Sequence, residues 1–454
     1  MDTSDSFDRP TARPVLRVAV VGHTAALSGG ELALVRLVRA LHDRVAFHVI
    51  LAEDGPLIDE LRRAGAAVEV LPLTDHVLGV RRGDVRLGSL PFRAIIDVGA
   101  YSLRLARRLR RLRPDLVHTN TLKAALYGGV AARLAGFPCL WHVRDRVEPG
   151  GLSALGVRLT RRAARFLPDA VVTDTEGVLE TLHLPAHGPL RVVIPSIIEP
   201  LAQEHGALLQ AVDGTARARP FRVAMVGRIA SWKGQDVMIR ALAEALPVGT
   251  AEGVIIGAPL FGEQDEVYER ELRRLIEDLG LGDLVELRGY RSDLGGELVD
   301  VDVLVHASVQ PEPFGQVIGE AMGLGLPVVA SAAGGPLEII TDGHDGILVP
   351  PGDVAALAAV LRRLAADPDL REHLGTNARR TARRYGADVV APPLLELYER
   401  VARTGRSDPR GVQRVERAER WAAVGVEPGE QFRVDAAGQQ QSGQLVGWRG
   451  AEEV

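Results

Sequence analysis

Two segments far apart in the chain are near copies of one another: Arg17-Val-Ala-Val-Val-Gly22 and Arg222-Val-Ala-Met-Val-Gly227. Each is a short run of small and β-branched apolar residues closed by glycine, the pattern of a strand buried on both faces of a parallel sheet. Each is followed by a glycine-bearing loop and then by apolar residues at helical spacing, as in Glu31 to Leu41. A sheet covered on both faces needs helices alternating with its strands, so a chain that starts this pattern twice is expected to build two doubly wound α/β units.

The remaining strand patterns fit that division. In the first unit they fall at Ala46–Ala52, Ala67–Leu71, Asp115–Asn120, Cys139–Asp145, Asp169–Thr173 and Arg191–Pro195. In the second they fall at Gly253–Gly257, Val285–Arg288, Val303–His306, Pro327–Ser331 and Gly346–Val349, with helical patterns over Val354–Ala366 and Pro368–Tyr385. The expected organisation is a polar N-terminus (1–14), a first Rossmann-like unit (15–199), a linker (200–220) and a second unit (221–385). A helix over 386–403 then crosses back to the first unit, and a tail (404–454) follows. The tail is rich in Gly, Gln, Arg and Glu, with too few apolar residues to offset the entropy of ordering. It reads as disordered, or as a small helical cap built on Trp421 and Trp448.

Composition narrows the function. Of 454 residues 46% are hydrophobic and 25% charged, as in an ordinary soluble protein. A net charge of −5 supplies no field for a polyanion, so a nucleic-acid partner is not expected. Cys139 is the single cysteine and forms no internal disulfide, and no apolar run reaches the roughly 20 residues that span a bilayer. A cytoplasmic protein is expected. The arginine runs Arg104 to Arg113 and Arg158 to Arg165 are read as solvated helix faces, or as peripheral contacts with anionic lipid at the inner membrane surface. Lysine occurs only at 123 and 233.

Ligands of doubly wound sheets bind beyond the C-terminal ends of the strands, so two such units point to the cleft between them. The most informative segment there is Gln310-Pro-Glu-Pro-Phe-Gly-Gln-Val-Ile-Gly-Glu320. Pro313 is expected in the first turn of a helix, with the amides of Phe314, Gly315 and Gln316 aimed at an anion. Glu312 then stands at the helix mouth and Glu320 about two turns on, placed to accept hydrogen bonds from a sugar ring and a ribose respectively. A second cluster, Gly227-Arg228-Ile-Ala-Ser-Trp-Lys233-Gly234, lies on the first loop of the same unit, and its cations suit a diphosphate leaving group.

Together these segments resemble glycosyltransferase family 4, over roughly residues 15–400. Its marks are a glycine-arginine turn closed by lysine-glycine, and two glutamates separated by seven residues. The resemblance implies a GT-B fold, two Rossmann-like domains facing each other across a cleft. It also implies a retaining sugar transfer from a nucleotide diphosphate sugar, UDP- or GDP-linked, to a hydroxyl acceptor. Arg228 and Lys233 would meet the diphosphate, Glu320 the ribose, and Glu312 with the Phe314 and Gly315 amides the sugar and phosphate. Gly227 opens that turn, Tyr290 and Arg291 fall where the family holds the base, and Gly29-Gly30 resembles its mobile glycine loop. His142 matches the family's histidine beside the sugar better than His118 does. Asp174-Thr175-Glu176 stands where relatives often have serine, a departure that leaves the loop's role open. No metal or other cofactor is expected, since the fixed cations meet the leaving charge and Asp300-Val-Asp302 reads as the lead-in to a strand. The alternatives are a nucleotide-sugar epimerase on the same fold and a catalytically silent binding protein.

Overall fold

The structure, a computed structural model, describes residues 15–74, 92–199, 220–245, 250–260 and 262–404. The polar N-terminus, nearly all of the linker, and the tail beyond 404 lie outside the described residues.

The first unit holds β1 (Leu16–Gly22), β2 (Val45–Leu51), β3 (Ala67–Val70), β4 (Leu116–Thr119), β5 (Cys139–Val143), β6 (Ala170–Thr173) and β7 (Leu190–Val193). They form one sheet in the order β3-β2-β1-β4-β5-β6-β7, and every pairing is parallel. The second unit holds β8 (Phe221–Val226), β9 (Ala251–Ile256), β10 (Val285–Gly289), β11 (Val303–His306), β12 (Val328–Ser331) and β13 (Ile347–Val349). Its order is β10-β9-β8-β11-β12-β13, again all parallel. Both sheets are thus doubly wound. In each, the chain order reverses beside the strand that opens the unit, between β1 and β4 and between β8 and β11. Loops diverge at such a reversal and leave a crevice, which is where ligands of these sheets bind.

Why these runs are strands is visible in their burial. From Val18 to Val21 every side chain is at most 1% exposed, because helices cover both faces of the sheet. On one face of the first sheet, helices Gly29–Leu41 and Leu57–Arg63 contribute Leu34, Val38, Leu57 and Leu61 to the core. On the other face, Phe92–Leu112 and Leu122–Ala135 contribute Tyr101, Leu105, Leu109 and Ala125.

The last described helix, Ala387–Thr404, follows the second unit in the chain but buries its apolar stripe in the first. Val390, Leu394, Leu397, Tyr398 and Val401 share a core with β1, β2 and the helix Gly29–Leu41. Tyr398 is fully buried, and its hydroxyl shares a 2.6 Å hydrogen bond with Nδ1 of His118, on β4.

Several arginines of the basic helices serve the fold. Arg108 grips the Glu69 carboxylate with Nε and NH2, both at 2.7 Å, and Arg104 donates to the Pro72 carbonyl at 2.8 Å. Arg161 donates to the carbonyls of Thr181 and Val147 at 2.8 and 3.0 Å. Among the described residues no helix is long and apolar enough to cross a membrane.

Tyr398→Phe should test the seat of the closing helix. The change keeps the ring but leaves a buried nitrogen without its partner, which costs about 1–3 kcal/mol. A lower denaturation midpoint by urea titration is expected, and an unchanged one would show that this bond adds nothing to docking.

Candidate functional site

The loop that leaves β8 is short and tightly built. After Gly227 and Arg228 the chain makes one 3-10 turn, Ser231–Lys233, and leaves it through Gly234 with φ +75°. A side chain at 234 would place its first carbon 2.1 Å from the Ala307 carbonyl oxygen, so only glycine lets this turn lie against the end of β11. The Val309 amide donates to the Trp232 carbonyl at 2.8 Å and joins the two loops. The Trp232 ring lies under both cations, with Lys233 Nζ 4.3 Å and the Arg228 guanidinium 5.8 Å from its centroid. Arg228 also lies 3.6 Å from Asp265.

Lys233 reaches across the crevice to Glu312. Its Nζ donates to Oε2 at 2.7 Å, and the same oxygen lies 3.0 Å from the Ser308 hydroxyl and 3.2 Å from His306 Nε2. Burial pushes the Glu312 carboxyl up, but the Lys233 ammonium and His306 outweigh it and hold the group well below the ordinary carboxylate range. The backbone of Glu312 is pinned as well, by the Gly335 amide at 2.7 Å. His306 and Ser308 were not among the residues expected from sequence. The signal for them is positional, because they alternate on the last turn of β11 and its exit, facing the same carboxylate.

The helix that carries Glu320 starts later than its proline suggests. It spans Gln316–Leu324, and its N-cap is Gly315 with φ +98°, a left-handed residue that turns the chain into the helix. Pro313 therefore lies before the helix, and its carbonyl accepts the Thr175 hydroxyl at 2.9 Å. The Phe314 side chain is buried edge-on against Tyr385, and its backbone packs closely on Gly335. No described residue accepts a hydrogen bond from the amides of Phe314, Gly315 or Gln316. Glu320 is buried and ion-paired with Arg36 of the first unit. Tyr290 is exposed at the end of β10, two strands from β8, and Arg291 beside it donates to Glu297 at 3.0 Å. Asp302 accepts the Arg222 amide at 2.8 Å, which fits its reading as a strand lead-in.

From the first unit, Gly29 and Gly30 open the helix Gly29–Leu41 and face this assembly. The Gln316 side-chain amide donates to the Gly29 carbonyl at 2.8 Å, and Asn120 donates to the Gly30 carbonyl at 3.1 Å. Asn120 is held by Arg144 Nε at 3.2 Å. The Arg144 guanidinium also meets Asp174 at 2.8 Å, Ser196 at 2.7 Å and His142 Nδ1 at 3.3 Å. A guanidinium only donates, so His142 accepts at Nδ1 and gives its Nε2 proton to Asp174, 3.3 Å away. Both ring nitrogens are thus engaged inside the protein, in a network under the glycine loop. Burial and the neighbouring Arg144 push His142 down to about 4, against the pull of Asp174. The Asp174-Thr175-Glu176 loop, left open by sequence, bridges the units: the Glu176 and Gly177 amides donate to Glu338 at 2.9 and 2.8 Å.

The chain is similar to known proteins over both of its units. Residues 27–197 match the family model "Glycosyltransferase Family 4", and residues 212–381 match "Glycosyl transferases group 1". The chain is 30% identical over 330 residues to D-inositol 3-phosphate glycosyltransferase of Thermomonospora curvata, covering 66% of this chain and 74% of that protein. The chain belongs to glycosyltransferase family 4. The exopolysaccharide phosphotransferase of Streptomyces coelicolor is 38% identical over 202 residues, 44% of this chain, but the match spans only 20% of that longer protein. Among solved structures, HepE of Anabaena in complex with UDP and glucose superposes with a TM-score of 0.71 at 26% identity, covering 85% of this chain and all of that one. The two facing parallel sheets of this glycosyltransferase are those of the GT-B fold.

The buried histidines give the fold an acid limit. Burial also holds His118 well below its ordinary value, so both rings stay neutral in the fold and take up protons when exposed near pH 6.5. The unfolded chain then binds more protons, and stability falls as pH drops from about 6.5 towards 4, with His142 supplying on the order of 3 kcal/mol of the loss. The depressed carboxylates Asp174 and Glu312 add their losses only below about pH 4. Melting curves across that window should show the decline, and His142→Gln should flatten it; an equal slope in the variant would remove His142 from this account.

Proposed function

We propose that this glycosyltransferase moves a sugar from a nucleotide diphosphate donor to a hydroxyl acceptor with retention of configuration, in the synthesis of a glycan, glycolipid or cell-surface polysaccharide. The observation that carries the reading is the Lys233–Glu312 pair beneath amides that no described residue engages. An ammonium, a guanidinium and a set of free amides converge where a diphosphate would lie, and a fixed carboxylate stands beside them where a sugar would lie. The likeness to HepE, solved with UDP and glucose, supports a uridine diphosphate sugar as the donor to test first.

In this reading the bond from the sugar's anomeric carbon to the diphosphate oxygen breaks, and a bond from that carbon to the acceptor oxygen forms on the same face. The acceptor's proton passes to the departing phosphate oxygen. Negative charge growing on the diphosphate meets Lys233, Arg228 and the Gly315 and Gln316 amides. Glu312 faces the sugar as it gains positive character, and its charge is secured by Lys233, Ser308 and His306. Glu320 accepts hydrogen bonds from the ribose. Because the cations already meet the leaving charge, a divalent ion would duplicate them.

Purified protein should release nucleoside diphosphate from a UDP-sugar only when a hydroxyl acceptor is added, and dialysis against EDTA should leave that rate nearly unchanged. Conversion of the donor without acceptor would favour an epimerase instead. Lys233→Ala should lower kcat by about two to three orders of magnitude, the usual loss for one preorganised charge of about 3–4 kcal/mol, while donor binding falls less. Glu312→Gln should also lose rate while keeping the donor. If both variants retain wild-type turnover, the reacting centre lies elsewhere.

A further inference from the structure

One guanidinium that crosses from the first domain to the second has no part in the scheme above. Arg36 stands on the helix Gly29–Leu41, beyond the glycine loop. Its NH2 donates to Oε1 of Glu320, while NH1 donates to the Gln316 side-chain oxygen at 3.0 Å and reaches the Ile197 carbonyl at 3.4 Å. Gln316 and Glu320 are four residues apart and share one face of their helix, so a single guanidinium can fork across both. Gln316 returns a bond to the Gly29 carbonyl. The Arg36 and Glu320 side chains are only 11% and 10% exposed.

A pair this dry is costly to assemble and does little for stability on balance, which directs attention to what else it accomplishes. Its geometry is lopsided. Arg36 takes one carboxylate oxygen, and no described residue donates to the other, Oε2. A carboxylate with one oxygen held by a guanidinium and the other without a donor among the described residues retains the capacity to accept a ligand hydroxyl.

We propose that Arg36 is a positioning residue of the donor site, contributed by the opposite domain. It sets the rotamer of Glu320 so that Oε2 faces the ribose hydroxyls of the nucleotide donor, and it makes that subsite complete only when the domains are closed on each other. This rests on the reading of Glu320 as the ribose carboxylate. Lysine cannot replace it fully, because its compact ammonium lacks the planar fork that reaches Glu320 and Gln316 through separate nitrogens.

The test is steady-state kinetics with UDP-glucose, together with calorimetric titration of UDP, on wild type, Arg36→Ala, Arg36→Lys, Glu320→Ala and the Arg36→Ala/Glu320→Ala double variant. Arg36→Ala is expected to raise the donor KM and the UDP Kd about tenfold or more, as loss of a charge-assisted bond does, with a much smaller change in kcat. Arg36→Lys should recover part of the loss. The double variant should bind no worse than Glu320→Ala, since both changes remove the same unit. Donor KM and UDP Kd at wild-type values in Arg36→Ala, or additive losses in the double variant, would overturn the role of Arg36. A lower melting temperature with KM unmoved would do so too, since it marks Arg36 as purely structural. Glu320→Ala binding UDP as wild type does would instead sink the ribose assignment, and a wild type that neither binds nor turns over any nucleotide sugar would sink the proposed function itself.

Discussion

A carboxylate stays charged inside a protein only if cations or hydrogen-bond donors offset its lost hydration, and the second domain is arranged around one carboxylate met by a cation. Glu312 and Lys233 sit on different loops, one leaving β11 and the other β8, and their 2.7 Å contact spans the point where the sheet's strand order reverses. Removing Lys233 would leave the buried Glu312 carboxylate without its ammonium, which is far worse than never having had the pair. The features around them follow from that demand. Gly234 allows the lysine turn to press against the exit of β11, Ser308 and His306 gather on the same carboxylate oxygen as Lys233, and the Gly335 amide fixes the backbone beneath it.

The first domain solves a related problem with the signs reversed. There the central cation is the half-buried Arg144, and the residues that satisfy it stand at the C-terminal ends of four strands or just beyond them: Asn120, His142, Asp174 and Ser196. Because Asn120 also holds the Gly30 carbonyl, the position of the glycine loop depends on a network centred several ångströms below it. The two domains touch nearby at Gln316, which donates to Gly29 of one domain from the helix mouth of the other.

How much of this could be read beforehand depended on whether the signal was periodic. Strands buried on both faces are uninterrupted apolar runs, so Arg17 to Gly22 and Arg222 to Gly227 announced the two sheets, and the paired glutamates and the lysine turn announced where the second site lies. The proline at 313 misplaced the helix start by three residues, because Gly315 takes a left-handed conformation that composition does not reveal. His306, Ser308, Arg36 and Arg144 escaped notice for a different reason. His306 and Ser308 lie close to Glu312 in sequence but carry no motif of their own, whereas Arg36 and Arg144 act through partners distant in sequence, and in a chain so rich in arginine no single guanidinium stands out.

The closing helix Ala387–Thr404 bears on how the protein is made. Its side chains complete the core of the first domain, and Tyr398 supplies the hydrogen bond of a histidine buried on β4. On the ribosome the first domain emerges early, yet it lacks part of one face until almost all of the described chain has followed. The domain that is synthesised first is finished last, and until then the apolar face left by Leu34, Val38 and β1 must wait uncovered while the second domain folds.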